Sequence, residues 1–148
     1  MSEAGPSEDQ KRPILLVVDD DPGDILLLQE TCRELDLDFR FEVCRDGEEA
    51  WRFLTRGPGF ESAPRPDLVL LDLNLPKRTG RELFAQIREH DGLRKVPVVV
   101  LTTSKTDADV VAGADPAFNL YLTKPMRLDG FLDAVRRIHR FFLDAPKP

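Results

Sequence analysis

The chain has 148 residues, 41% hydrophobic and 32% charged, which suits one soluble domain with a normal core. A net charge of −6 argues against a nucleic-acid-binding surface, and no apolar run is long enough to span a bilayer. Residues 1–12 are polar and lack the apolar segment of a secretory signal, so they read as a disordered tail before a domain over 13–148.

Ile14 to Val18 is a continuous apolar run, the pattern of a central strand covered on both faces. It ends in Asp19-Asp20-Asp21, and Pro22 then opens a helix with Asp21 as N-cap and Asp24 in the first turn. Ile25, Leu26, Leu28, Cys32 and Leu35 recur at helical spacing as far as about Asp36. Phe39, Phe41 and Val43 alternate with polar residues, which predicts a half-exposed edge strand. Asp46-Gly47-Glu48-Glu49 starts a second helix in the manner of a capping box. The Gly/Pro-rich stretch from Gly57 to Pro66 is a long loop.

Leu68 to Leu71 is the second continuous apolar strand, and it ends at Asp72. Thr79-Gly80-Arg81-Glu82 caps a third helix with Leu83, Phe84 and Ile87 on its inner face. Pro97 to Leu101 is a third apolar strand that ends at Thr102-Thr103-Ser104. A weak helix from about Thr106 must stop early, because Gly113 and Pro116 interrupt it. Phe118 to Leu122 is the last strand and ends at Thr123-Lys124-Pro125. The final helix carries Leu128, Phe131, Leu132, Val135, Ile138 and Phe142 on one side and Arg136, Arg137 and Arg140 on another. Alternating strands and helices with right-handed crossovers make an α/β fold, a doubly wound parallel sheet. Cys32 and Cys44, without a CxxC pattern, read as reduced, buried thiols of a cytoplasmic protein.

Four apolar strands thus end in polar groups: Asp19 and Asp20, Asp72, Thr102 and Lys124. The carboxyl edge of such a sheet is where ligands bind. Taken singly, each residue has a plain reading: strand-end acids cap helices, and a lysine is usually solvated. Taken together they differ, because three converging carboxylates repel one another and a hard divalent cation relieves that repulsion. Mg²⁺ takes one or two carboxylates plus water and phosphate oxygens, and a nearby lysine suits a phosphoryl oxygen. Asp72 is then a nucleophile that yields an aspartyl phosphate.

Val17-Val18-Asp19-Asp20-Asp21-Pro22, Leu71-Asp72-Leu73-Asn74-Leu75-Pro76 with Gly80, Leu101-Thr102-Thr103-Ser104 and Tyr121-Leu122-Thr123-Lys124-Pro125 carry a resemblance. The chain resembles the receiver (CheY-like) domain of bacterial two-component response regulators from about Pro13 to Leu143. The resemblance implies a five-stranded flavodoxin-like sheet in the order 2-1-3-4-5. It implies that Asp72 accepts a phosphoryl group from a sensor histidine kinase. It implies a Mg²⁺ site of Asp19, Asp20, Asp72 and Asn74, in which Asp20 binds the ion directly, Asp19 binds it through water, and Asn74 adds its main-chain carbonyl. Lys124 and Thr102 would hold the phosphoryl oxygens, and Thr102 and Tyr121 would form a switch. A cis peptide before Pro125 would aim Lys124 into the site.

Asn74-Leu75-Pro76-Lys77, Leu101 to Ser104 and the loop from Gly57 to Pro66 resemble stand-alone regulators partnered with phytochrome-type kinases. With no basic recognition helix, output is expected through a downstream protein and not through nucleic acid or a membrane. Adjacent Phe141 and Phe142 can hardly both face one core, which points to a homodimer through the last helix with one ring at the contact. Two rings lying on the domain's own surface is the alternative. Two rival functions share these residues: a Mg²⁺-dependent phosphohydrolase of the haloacid-dehalogenase kind, and a phosphorylation-independent interaction module. The first expects its nucleophile after the first strand and a second Asp where Asn74 stands.

Overall fold

The computed structural model describes residues 12–75, 77, 79–125 and 127–146, so most of the expected N-terminal tail lies outside it. Five parallel strands, β1 (Ile14–Val18), β2 (Arg40–Cys44), β3 (Leu68–Asp72), β4 (Val98–Thr102) and β5 (Asn119–Thr123), form one sheet in the order β2-β1-β3-β4-β5. The helices are α1 (Pro22–Glu34), α2 (Gly47–Thr55), α3 (Gly80–Glu89) and α4 (Leu128–Asp144). Among the described residues no helix is long and apolar enough to cross a membrane.

The continuous apolar runs are explained by helices on both faces of the sheet. Leu16, Val18, Val69, Leu71, Val98 and Val100 pack on one face with Phe53 and Leu54 of α2 and Leu83 and Ile87 of α3. Their neighbours Leu15, Val17, Leu68, Leu70, Val99 and Leu101 pack on the other with Ile25 and Leu28 of α1 and Val135 and Ile138 of α4. β1, β3 and β4 therefore spend both sides of their pleat on apolar contacts. The alternating strand β2 is at the edge, as its pattern requires, and its Arg40 pairs with Glu42 at 3.1 Å.

The expected start signals are present. The Asp21 side chain accepts from Gly23 N, the Asp46 side chain accepts from Glu49 N, and Thr79 and Glu82 form a full capping box. The long loop is fastened down: Arg56 donates to the Ala63 carbonyl at 2.8 Å, and Phe60 packs edge-on against Phe53. Both cysteines are buried free thiols.

Three details differ from expectation. After β4 there is only a 3-10 segment, Lys105–Val110, because Gly113 at φ 83 and the turn through Pro116 leave no room for further helical turns. Leu26 and Leu128 do not join the core; they are exposed, at 58% and 59%, because each sits on the outer side of its helix. Phe141 and Phe142 are both half-buried against the face that α1 and α4 share, with Phe142 edge-on to Phe39 at 5.3 Å.

One half-buried cation organises the amino ends of two strands. Arg88 of α3 donates to the carbonyls of Arg94 at 3.0 Å, Val96 at 2.9 Å and Phe118 at 2.9 Å, and to the Asn119 side chain at 2.8 Å. Burial holds this guanidinium below its ordinary range, at about 10.

Candidate phosphoacceptor site

The register of the sheet assembles the site. Val18 lies opposite Leu71, Asp72 opposite Leu101, and Thr102 opposite Thr123. The residues that finish these strands, Asp19, Asp72, Thr102 and Lys124, therefore meet at one edge. Backbone hydrogen bonds extend the pairing beyond the strands: Leu73 N donates to the Leu101 carbonyl at 3.0 Å and Lys124 N donates to that of Thr102 at 2.6 Å. Asp19 and Asp72 are buried at 5% and 4% exposure, whereas Asp20 is exposed.

Each buried carboxylate divides its oxygens between backbone and lysine. Asp19 Oδ1 accepts from Asp21 N at 2.9 Å, and Asp72 Oδ1 accepts from Asn74 N at 3.0 Å. Lys124 Nζ lies 3.4 Å from Asp19 Oδ2 and 3.0 Å from Asp72 Oδ2. Its third partner is Asp24 Oδ2 at 2.7 Å, in the first turn of α1. Burial opposes the Lys124 charge, but its hydrogen bonds to Asp24 and Asp72 outweigh burial and raise its pKa. Burial pushes Asp19 up to about 6, against the pull of the Asp21 amide and of Lys124.

Asp19, Asp20 and Asp72 each offer a carboxylate oxygen, all within 4.8 Å of one another. This all-oxygen set, half buried and with more carboxylates than cations, fits a small hard divalent ion better than any softer metal.

Gly80 brings α3 onto this edge. A Cβ there would lie 2.5 Å from Leu73 Cα and 2.7 Å from the Asp72 carbonyl oxygen, so only glycine lets the helix start this close to the end of β3.

The other expected residues are placed differently. Thr102 is fully buried at the strand end, but its hydroxyl donates to Asp107 Oδ2 at 2.7 Å and accepts from Ser104 N at 3.1 Å. The Tyr121 hydroxyl donates to the Ser104 carbonyl at 2.7 Å, fastening β5 to the loop after β4. No peptide bond is cis among the described residues, so the one before Pro125 is trans, contrary to expectation. Lys124 reaches the site without that bend, because its amide is fixed to Thr102 and its ammonium to three carboxylates.

Sequence reasoning missed Asp24, Asp107 and Arg81. In sequence Asp24 reads only as a first-turn acid facing the helix dipole, yet it stands one turn after the acidic run. Asp107 lies five residues beyond Thr102, a spacing that carries no signal unless the 3-10 turn is known.

A buried carboxylate, an adjoining cation and a candidate acidic ion site at the carboxyl edge of a 2-1-3-4-5 sheet place the chain in the doubly wound, receiver-like class. Residues 15–136 match the response regulator receiver domain, and the chain belongs to that family. It is similar to the response regulator Rcp1 of Synechocystis sp., 41% identical over 138 residues that cover 92% of this chain and 94% of Rcp1. Among solved structures, the phosphorylated cyanobacterial phytochrome response regulator RcpA superposes with a TM-score of 0.80 at 37% identity, covering 92% of this chain and 97% of RcpA. The Mn²⁺-bound form of Rcp1 superposes at 0.79 with 40% identity, covering 91% and 97%. The chain is thus a response regulator of two-component signalling, similar to Rcp1 and to the phytochrome response regulator RcpA, and neither rival function is favoured.

Proposed function

We propose that Asp72 accepts a phosphoryl group from a sensor histidine kinase and that the protein-binding surface changes in response. A carboxylate oxygen of Asp72 attacks phosphorus, the bond from phosphorus to the donor imidazole nitrogen breaks, and its electron pair stays with the imidazole. The observation that carries this reading is the Lys124 ammonium, held 3.0 Å from Asp72 with its charge secured by Asp24 and Asp19. It is placed to offset charge on the transferred oxygens. Thr102 supplies a second donor to those oxygens.

The residues fit Mg²⁺ as the cofactor, with Asp20 and the Asn74 carbonyl as direct donors and Asp19 acting through water. Bound there, Mg²⁺ would supply charge neutralisation for the phosphoryl oxygens. The domain assists its own phosphorylation and dephosphorylation and is not otherwise an enzyme. The kinship with the phytochrome response regulator RcpA supports a phytochrome-type kinase as donor. The proposed regulator is cytoplasmic and acts on a downstream protein. Tyr121, tied to the loop after β4, is the expected second half of the switch.

Intact mass after incubation with Mg²⁺ and acetyl phosphate tests this. One added phosphoryl group is expected, lost in Asp72→Asn and on removing Mg²⁺. Uptake that persists in Asp72→Asn rejects the assignment.

The last helix also supports a homodimer. Leu143 is 57% exposed near its end, and Phe141 is half-buried beside Leu120 and Arg137 around a groove of about 410 Å³. Sedimentation at micromolar concentration should give a dimer that Phe141→Ser weakens. A monomeric wild type rejects it.

A further inference from the structure

Thr102 has a single hydroxyl proton, and in this structure Asp107 takes it at 2.7 Å. The same proton is needed if Thr102 is to donate to a phosphoryl oxygen on Asp72, because the hydroxyl can make only one donated bond at a time. Asp107 is itself held. Arg81, from the first turn of α3, donates to Asp107 Oδ1 at 2.6 Å and reaches Asp109 at 3.3 Å. The Asp107 carboxylate therefore bridges a strand-end hydroxyl with one oxygen and a helix-borne guanidinium with the other.

We propose that Asp107 is a positioning residue for the phosphoryl group: it holds the Thr102 hydroxyl in reserve, and phosphorylation at Asp72 must take that hydroxyl from it. This rests on the reading of Asp72 and Thr102 given above and adds the competitor. Arg81 makes the exchange inexpensive. When Thr102 turns away, Asp107 keeps its ion pair with Arg81 and is not left as a bare carboxylate. The exchange also has a structural consequence. Side-chain bonds tie the start of the segment from Ser104 to Val110 to the strands: the Thr102 hydroxyl donates to Asp107 and accepts from Ser104 N, and the Tyr121 hydroxyl donates to the Ser104 carbonyl. Loss of the first leaves Asp107 anchored to α3 through Arg81, while Tyr121 still holds the Ser104 carbonyl to β5.

The test is calorimetric titration of the full chain with beryllofluoride, an inert mimic of the phosphoryl group, in the presence of Mg²⁺. Asp107→Ala should bind it roughly threefold to tenfold more tightly than wild type, the effect of relieving one competing hydrogen bond. In a Thr102→Ala background the same change should do nothing, because there is no hydroxyl left to release. A merely structural role for Asp107 would not vanish with Thr102 in this way. Asp107→Asn, whose amide oxygen can still accept from Arg81 while its NH2 donates to Thr102 Oγ1 and leaves the hydroxyl proton free, serves if the alanine variant does not fold, with the same direction and the same control. Equal or weaker binding by Asp107→Ala overturns the proposal, as does a gain that persists without Thr102. A wild type that neither binds beryllofluoride nor takes up a phosphoryl group from acetyl phosphate fails the underlying reading instead.

Discussion

Lys124 Nζ and Asp24 Oδ2 stand 2.7 Å apart, the shortest of the three carboxylate contacts that the ammonium makes. The lysine is therefore shared between a rim carboxylate on α1 and the buried Asp72 and Asp19. Its charge also opposes any cation at Asp19, Asp20 and Asp72. Opposite effects on ion binding follow. Asp24→Ala removes a negative charge from the rim and should weaken Mg²⁺ binding by roughly twofold to fivefold. Lys124→Met removes a positive one and should strengthen it, while reducing phosphoryl uptake. Calorimetric Mg²⁺ titrations of both variants check this. Changes of the same sign in the two would contradict an ion site at these three acids.

The contact between Gly80 and the end of β3 gives a second expectation. An added Cβ would meet main-chain atoms, Leu73 Cα and the Asp72 carbonyl oxygen, and main chain cannot rotate out of the way as a side chain can. Gly80→Ala should therefore cost about 1–3 kcal/mol, the usual range for overpacking, despite alanine's better helix propensity. It should also lower the rate of phosphoryl uptake, since the displaced segment carries Asp72. Urea denaturation and intact-mass time courses measure the two effects. A midpoint at or above that of wild type would refute the close approach.

Cysteine ionisation sets an alkaline limit on stability. Burial raises Cys32 to about 11, and burial together with Glu49, Asp46 and Glu42 raises Cys44 to about 12, both from 9.0. Below pH 9 both states keep their thiol protons, so the contribution is constant. Between 9.0 and the folded values the unfolded chain loses protons that the folded chain retains. Ionisation then favours unfolding, and stability falls as pH rises. The urea midpoint of wild type should drop more steeply than that of Cys44→Ala from about pH 9 upward, because other titrations cancel in the difference. Parallel curves would show that Cys44 ionises equally easily in both states.

The fold was readable because its strands are of two kinds. The unbroken runs at Ile14, Leu68 and Pro97 announce burial on both faces, and the alternation at Phe39 to Val43 announces an edge. The caps at Asp21, Asp46 and Thr79 are local in sequence and were equally plain. The acid trio and Lys124 could be found for the same reason, since each finishes a strand. What could not be read depends on contacts between elements. The pairing of Asp24 with Lys124 joins positions 100 residues apart. The partner of the Thr102 hydroxyl depends on how the chain turns after β4, and the sequence indicated only that helix would be cut short. Leu26 and Leu128 fit a helical repeat, yet the repeat does not reveal where the apolar face stops.

Arg88 bonds the residues just before β4 and at the start of β5, while Thr102 and Lys124 sit where those same strands finish. The two strands are therefore pinned at one end and carry chemistry at the other. The guanidinium thus fixes the base of both strands, so a rearrangement at Thr102 or Lys124 would fall on their carboxyl ends and the loops that follow, not on their amino ends.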